Sequence, residues 1–266
     1  MFLVGTGAGA LQLECATDVS ATTVRGSSER VTLAGVRKMQ VAPRSLRTVP
    51  VSWDARTPTE LGSLLDLVEG VWGPGPFRFV TDLAAVTSVL LPREANLMPG
   101  FFTSSAAVEG GPVVLADGSL SPRSLLITDG IAYMGTPATL PVLPGSRVTV
   151  STYAQGSGVL QLAAYAADKT RGSNLTASVA PEVPMAPVSA TWSVPDDIHW
   201  ITPGVSGFAR VARPAVSFTD GPVGWSPGEG IVGVLTGMDR SALRAEPQQG
   251  RQHLSGSASI VELGSR

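Results

Sequence analysis

The chain has 266 residues, a formal net charge of -2, and only 15% charged residues. It contains no basic run and no interleaving of basic and aromatic side chains, which excludes the footprint of a nucleic-acid-binding protein. The single cysteine, Cys15, excludes an intrachain disulfide. No apolar run reaches the ~18 residues of a membrane span, and we recognise no secretion signal, so we expect folding in the cytoplasm of the producing cell.

The first element in chain order is a glycine-rich stretch within MFLVGTGAGALQLE. Its Gly-x-Gly-x-x-Ala pattern fits a permissive dinucleotide-binding fingerprint, in which glycines let backbone amides approach a pyrophosphate. Residues 11–16 instead alternate between apolar and polar side chains, which is the period of a strand rather than of the required helix. We therefore predict two strands, residues 2–4 and 10–15. The glycines between them would give the backbone freedom close to another backbone, in this chain or in a neighbouring subunit.

One segment, residues 57–70, predicts a helix. Thr57 and Glu60 match a capping box, and Pro58 stands at the first helical position, where its missing N–H costs nothing. Gly70 can adopt the left-handed conformation that ends a helix. The apolar residues recur at helical spacing and predict a stripe that faces a sheet. The stripe is Leu61, Leu64, Leu65 and Val68.

The rest of the chain is typical of a β protein. Short runs rich in Val, Thr and Leu are separated by Gly or Pro about every ten residues. The predicted strands include residues 46–53, 77–80, 125–128, 147–153, 159–165, 189–194, 208–218, 231–236 and 254–263. This pattern predicts a mainly β fold, a sandwich or barrel, with one helix.

Two interruptions rich in proline and glycine, residues 92–100 and 225–230, predict domain boundaries. The stretch between them has the length of a jelly-roll sandwich. The strands after it are too few to fold alone, so we expect them to return to the first domain. We therefore predict a tube-like β-sandwich or barrel formed by residues 1–95 and 231–266, and an inserted jelly roll formed by residues 96–230.

Candidates for catalysis are few. His199 and His253 are the only histidines, and neither has the spacing to the other or to Cys15 that a zinc site needs. Asp196 and Asp197 are adjacent on a predicted turn, so their side chains diverge and do not form an obvious acid and base pair. We therefore expect a protein that is not an enzyme and uses no metal or cofactor. Carboxylates brought together only by folding remain open.

Residues 147–165 predict a β-hairpin with a candidate binding face. One side of each run is apolar and predicts a core face. If residues 154–158 form the loop, directly opposed residues share a face, so that Arg147 lies opposite Tyr165. The polar side would then carry aromatic rings for stacking on sugars and groups that bond hydroxyls. The candidate glycan-binding residues are Arg147, Tyr153, Gln161 and Tyr165. The alternative is an ordinary face covered by water or by a neighbouring subunit.

Four segments resemble parts of minor tail and distal tail proteins of long-tailed phages that infect actinobacteria. They are residues 51–53, the predicted helix, residues 69–80 and residues 94–99. Residues 144–154, PGSRVTVSTYA, are similar to the opening hairpin of family 4/9-type carbohydrate-binding jelly rolls. Residues 224–230 and 260–264 are similar to the closing segments of such tail proteins. The likeness spans most of the chain as loose patterns.

The resemblance implies a structural protein of the phage tail tip. It implies a homo-oligomeric ring, usually a hexamer, with the tail tube, tape measure and tail hub proteins as partners, in the virion after assembly in the host cytoplasm. The jelly roll would project outward, where host cell-wall polysaccharide is its expected ligand. Binding that polysaccharide as the primary role is the alternative, and a wall-degrading enzyme is a third. Residues 211–218 lack the aspartate-rich signature of sugar-binding relatives, so no sugar or calcium ligand follows from the resemblance.

Overall fold

The structure is a computed structural model that describes residues 2–13, 16–20, 22–32, 37–56, 58–103, 105–246 and 251–263. Its strands are β1 (Phe2–Thr6), β2 (Gly9–Leu13), β3 (Asp18–Val19), β4 (Thr22–Val31), β5 (Arg37–Arg56), β6 (Phe77–Val80), β7 (Ala107–Glu109), β8 (Val113–Val114), β9 (Leu120–Ser121), β10 (Leu125–Ile127), β11 (Ala132–Tyr133), β12 (Leu140–Pro141), β13 (Arg147–Gln155), β14 (Gly158–Tyr165), β15 (Arg171–Val179), β16 (Ala186–Ser193), β17 (Trp200–Ser206), β18 (Arg210–Ser217), β19 (Ile231–Glu246) and β20 (Arg251–Glu262). Its helices are α1 (Pro58–Val68), α2 (Asp82–Val86) and α3 (Pro92–Ala95). The predicted mainly β class is confirmed, whereas the two short helices were missed.

Two compact units make up the chain. The first contains Met1–Leu13 and Arg78–Ile231, and the second contains Glu14–Phe77 and Val232–Arg266. The predicted division also has two parts, with limits at residues 95 and 230, so the units assign residues 1–13, 78–95 and 231 differently. The interpretation of the two parts as a tail-tube-like domain and an inserted jelly roll stays a prediction.

The first unit is built around a β-sandwich. One sheet, here called the front sheet, has the order β16-β13-β18-β10-β7. The other, the back sheet, has the order β11-β17-β14-β15, with β12 also paired to β17. All of these pairings are antiparallel. Among the described residues no sheet closes on itself, so the sandwich alternative is confirmed over the barrel.

The core of the sandwich receives side chains from both sheets. Val150 and Val216 of the front sheet are fully buried in one cluster with Leu162 and Ile201 of the back sheet. Alternation along each strand explains this, because every second side chain points into the layer between the sheets. The apolar side that the sequence predicts for residues 147–165 is therefore confirmed as core.

The glycine-rich opening forms a β-hairpin in the first unit. β1 pairs with β2 and also with β6, so the predicted strands are confirmed, although β2 ends at Leu13 and Cys15 lies outside the described residues. A Cβ on Gly5 would lie 2.6 Å from the Trp200 ring, and one on Gly9 would lie 3.0 Å from His199 Nδ1. The expected approach to another backbone is wrong at Gly5 and Gly9, because side chains of the same unit are what lies close to them, and nothing lies within 4 Å of a Cβ on Gly7.

A buried ion pair joins β6 to α3 in the first unit. Arg78 Nη1 and Nη2 donate to the two carboxylate oxygens of Glu94 at 3.0 and 2.7 Å. Arg78 Nη2 also donates to the Val89 carbonyl, and Glu94 accepts the Leu91 N–H. Both charged side chains are at most 5% exposed. Glu94 lies in α3, within residues 92–100, where the sequence predicts a domain boundary, and that boundary stays a prediction.

The second unit contains a sheet in which β5 pairs with β3, β4 and β20, and β20 pairs with β19. The predicted helix is confirmed as α1, which contacts β20. Thr57 lies outside the described residues, so the predicted capping box is not observed. The buried face consists of Leu61, Leu64 and Leu67. It is rotated from the predicted stripe because Leu65 and Val68 are only half-buried.

Candidate ligand-binding site

A small hairpin, β8 and β9, covers part of the outer face of the front sheet. Leu115, at the start of its turn, is buried in a cluster with Met185 and Ala212. At the tip of the turn, the N–H and Oγ of Ser119 donate to Asp117 Oδ1 at 2.9 and 2.6 Å. This local bonding, typical of an Asp-Gly turn, fixes an exposed carboxylate on the surface of the first unit.

Tyr153 of β13 points outward from the front sheet toward this turn. Its ring packs partly against the Leu115 cluster, and its hydroxyl donates to Asp117 Oδ2 at 3.2 Å. Burial, and then the bond to Asp117, raise the pKa of Tyr153 above 10.0. The bonds from Ser119 hold the pKa of Asp117 below 3.8. At neutral pH the pair is therefore a neutral phenol and a carboxylate, which suits recognition rather than proton transfer.

A bulge in β18 aims Arg213 at the same turn. The pairing of β13 with β18 shifts register between Ser151 and Tyr153, and Arg213 has a φ of 48°. A bulge with such a backbone redirects a side chain. Arg213 Nη1 donates to Ser119 Oγ and Nη2 to the Leu120 carbonyl, both at 2.9 Å. The guanidinium carbon lies 4.9 Å from the centre of the Trp225 ring, within range of a cation–π interaction.

Arg213 and Trp225 line a small open pocket, here called the Arg213 pocket, whose cavity volume of about 10 Å³ has room for about one water molecule. The lining residues are Ala95, Asn96, Leu97, Ser121, Pro122, Arg123, Arg213 and Trp225. Within the described part of the chain, Arg213 Nε and Trp225 Nε1 are buried and have no hydrogen-bond partner. Buried donors are normally satisfied by protein groups or by ordered water, and Arg78 Nε and Trp72 Nε1 are also buried without a partner among the described residues.

The predicted hairpin of residues 147–165 does not form. β13 pairs with β16 and β18, whereas β14 pairs with β15 and β17, so the two strands lie in opposite sheets. Arg147 and Tyr153 therefore lie on the outer side of the front sheet, and Gln161 and Tyr165 on the outer side of the back sheet. Alternation correctly separates core from outer face in each strand, but it does not specify which strand is the hydrogen-bonding partner.

The four predicted residues have different surroundings. Arg147 is exposed and pairs with Asp220 at 2.8 Å. Gln161 and Tyr165 are 3% and 8% exposed, and Gln161 Nε2 has no hydrogen-bond partner among the described residues. Only Tyr153 lies at the Asp117 turn next to the Arg213 pocket. A glycan-binding role for any of the four stays a prediction.

Sequence reasoning missed Arg213, Trp225 and Asp117. A signal for Arg213 was present, because Pro214 follows it inside a predicted strand and proline within a sheet marks an edge or a bulge. Residues 224–228 also match Gly-x-Ser-x-Gly, but the nucleophile elbow requires a strand followed by a helix, and residues 218–230 contain neither. Ser226 therefore does not lie in a nucleophile elbow.

The described residues hold neither a candidate metal cluster nor a helix that could span a membrane. No group of three or more His, Cys, Asp or Glu side chains there could hold a metal ion. No described helix is long and apolar enough to cross a membrane.

The chain shows little similarity in sequence or structure to known proteins. No family model and no curated protein matches the chain. The CBM22-1–GH10 modules of endo-1,4-β-D-xylanase 10B from Clostridium thermocellum, complexed with xylohexaose, are 10% identical with a TM-score of 0.28, covering 45% of this chain and 26% of that one. The structure of infectious bursal disease virus, Gx strain, is 11% identical with a TM-score of 0.14, covering 100% of this chain and 56% of that one. At these TM-scores neither likeness assigns a function.

Proposed function

We propose that the protein is a non-catalytic binding protein that recognises a glycan at the Arg213 pocket. The observation that carries this proposal is an open pocket at which the guanidinium of Arg213 is stacked on the ring of Trp225. Binding sites typically combine apolar or aromatic surface with a few well-placed polar groups. Trp225 and the neighbouring Tyr153 offer ring faces to a sugar, while Asn96 and Arg213 offer groups for its hydroxyls.

The rigidity of the surroundings also supports binding here. Arg213 is held by two hydrogen bonds to the β8–β9 hairpin, and Tyr153 is tied to Asp117 of the same hairpin. Side chains already fixed in place lose little conformational entropy when a ligand binds. The site therefore has the preorganised character of a recognition surface.

The test is binding of the full chain to purified host-wall polysaccharide, measured by isothermal titration calorimetry. Trp225→Ala removes the ring at the pocket and should weaken binding at least about tenfold, the size expected for a central aromatic contact. Tyr133→Ala, on the outer side of the back sheet, is the matched control and should bind as the unmodified protein does. Equal loss in both variants, or no binding by the unmodified chain, would reject the pocket as the glycan site.

We further propose that the protein acts as a component of a phage tail tip that assembles into a ring. The support is the sequence resemblance together with the hairpin of β4 and β5 in the second unit. Residues 27–31 and 37–40 of this hairpin are exposed on both faces, with Val31 62% and Met39 67% exposed. An isolated two-stranded ribbon is marginally stable in water, so a second copy that covers it would stabilise it.

The assembly proposal can be tested by native mass spectrometry of the full chain and by electron microscopy of virions. Met39→Lys should shift the population from rings to smaller species, because a charge would be buried at the contact. Val71→Lys is the control, since Val71 is 69% exposed and lies outside the hairpin. A protein that is monomeric at all concentrations and absent from virions would contradict the tail assignment.

A further inference from the structure

We infer that the hairpin of β4 and β5 docks, through one basic face, on the acidic first unit of a second copy of this chain. This inference rests on the proposed ring assembly and names the surface of the neighbouring copy that covers the hairpin. It depends on the cross-strand pairs of the hairpin and on the distribution of charge along the chain.

One face of the hairpin has its charges paired. Val31 lies opposite Arg37 in the pairing of the two strands. Glu29 lies opposite Met39, two residues along each strand, and therefore on the same face. On this face Arg37 Nε lies 3.3 Å from Glu29 Oε1, and the ion pair compensates both charges. The face, here called the apolar face, thus combines two exposed apolar side chains with a neutral pair.

The opposite face, here called the basic face, carries two positive charges side by side. Arg30 lies directly opposite Lys38. Both side chains are exposed, and neither has an ion-pair partner among the described residues. Like charges directly opposed across two strands are destabilising. An acidic surface placed on the basic face would remove this repulsion, whereas an apolar surface would leave it unchanged.

The charge of the chain is divided in the way that such a contact requires. Residues 22–44, which include β4 and the first part of β5, contain five basic residues and one acidic residue, a formal charge of +4. The first unit contains eight basic and eleven acidic residues, a formal charge of -3. Opposite charges on two surfaces speed their encounter and favour their association over that of like surfaces. A second copy of the chain therefore supplies the acidic partner that the basic face lacks.

Exposed carboxylates on the first unit can form this contact. All of those considered lie in loops between strands and have no ion-pair partner among the described residues. They include Asp129, Asp168, Glu182, Asp196 and Asp197. Because the hairpin of one copy meets a different surface on the next, the contact is heterologous. A heterologous contact whose rotation closes produces a ring.

The experiment measures self-association of the full chain by sedimentation velocity. Arg30→Gln combined with Lys38→Gln should weaken association at least about tenfold, the scale of two exposed charge pairs. This variant loses a like-charge pair, so it should fold at least as stably as the unmodified protein, which circular dichroism and denaturant unfolding check. Added salt should weaken association of the unmodified chain more than that of the variant.

A matched control removes the same two residue types elsewhere. Lys169 and Arg171 are exposed on the first unit. Lys169→Gln combined with Arg171→Gln changes the net charge by the same amount but leaves the basic face intact. This control should associate at least as tightly as the unmodified chain. An equal loss of association in both double variants would assign the effect to net charge and overturn the inference.

Chemical cross-linking identifies the surface that the basic face contacts. Lys38 and Lys169 are the only lysines of the chain. A carbodiimide joins a lysine amine directly to a carboxylate, without a spacer. In a mixture of isotope-labelled and unlabelled chains, it should join Lys38 of one chain to Asp or Glu of the first unit of another. Lys38→Arg keeps the charge, so it should keep the association and lose this cross-link.

The outcomes separate the inference from the ring assembly. Rings that persist unchanged without the charges of Arg30 and Lys38 would overturn the inference and leave the ring assembly standing, as would cross-links from Lys38 only within its own chain. A chain that is monomeric at all concentrations would overturn the ring assembly, and the inference with it. Binding of a DNA duplex by the basic face without self-association would identify a nucleic acid as the occupant and would also overturn the inference.

Discussion

Two arginines of the first unit show how the same side chain serves structure in one place and recognition in another. Arg78 is buried, and a carboxylate and a backbone carbonyl accept its terminal N–H groups. Arg213 is half-buried, stacked on Trp225, and bonded only to neutral acceptors. A buried arginine that forms a direct ion pair inside the fold stabilises the fold. An arginine that is stacked on a ring and hydrogen-bonded to neutral acceptors at an open pocket is suited to a ligand.

The largest expected loss of stability comes from breaking the buried ion pair of Arg78 and Glu94. Glu94→Gln keeps the side-chain shape but leaves Arg78 buried without a countercharge, which should lower the free energy of unfolding by about 3–5 kcal/mol. Denaturant unfolding measures this change. Glu109→Gln, at the more exposed pair with Arg123, should cost less than about 1 kcal/mol. Similar losses in both variants would show that burial does not distinguish the two pairs.

Adding a methyl group beside the Arg78–Glu94 ion pair should lower the free energy of unfolding by less than removing the charge of Glu94 does. Gly135 has a φ of 90°, and a Cβ there would lie 2.6 Å from Glu94 Oε1. Gly130 has a φ of 70° with nothing within 4 Å, so Ala there introduces only the backbone strain. Gly135→Ala should therefore lower the free energy of unfolding by about 1–3 kcal/mol more than Gly130→Ala does. Equal costs would mean that Glu94 moves aside freely.

Removing the hydrogen bonds of Arg213 should lower the free energy of unfolding only slightly. Arg213→Gln loses hydrogen bonds to neutral acceptors at a half-buried site, so we expect a loss of about 1 kcal/mol in unfolding free energy. The same denaturant experiment as for Glu94→Gln makes the comparison direct. A loss as large as that of Glu94→Gln would identify Arg213 as a structural residue and contradict the contrast between the two arginines.

The smallest effect concerns the titration of Tyr153. Its folded-state pKa is raised above 10.0, so its contribution to stability is fully present below that pH and is lost as the pH rises through the folded pKa. The pKa of Asp117 is lowered below 3.8, so its contribution is present above that value and is lost as the pH falls through the folded pKa. Tyrosine absorbance of the unmodified protein minus that of Tyr153→Phe should titrate above pH 10.0. A midpoint below that pH would contradict the buried, bonded phenol.

Much of the local structure could be predicted from the sequence. The capping pattern and helical spacing located α1, and alternation located β6, β13 and β14 within one or two residues. The Arg213 pocket could not be predicted, because its parts come from α3, the β9–β10 region, β18 and the loop that contains Trp225. No short-range pattern relates residues so far apart in the chain.

The sequence by itself determined part of the strands, such as β6, β13 and β14, and which side of β13 and β14 is buried, since both depend on the alternation of neighbouring side chains. It did not predict β4, β15 or β17. Only the tertiary structure decided the partners of each strand. That decision placed Tyr153 and Gln161 on opposite outer faces instead of on one hairpin. It also set Arg213 beside Trp225, because sheet pairing depends on contacts across the whole unit, which no local pattern encodes.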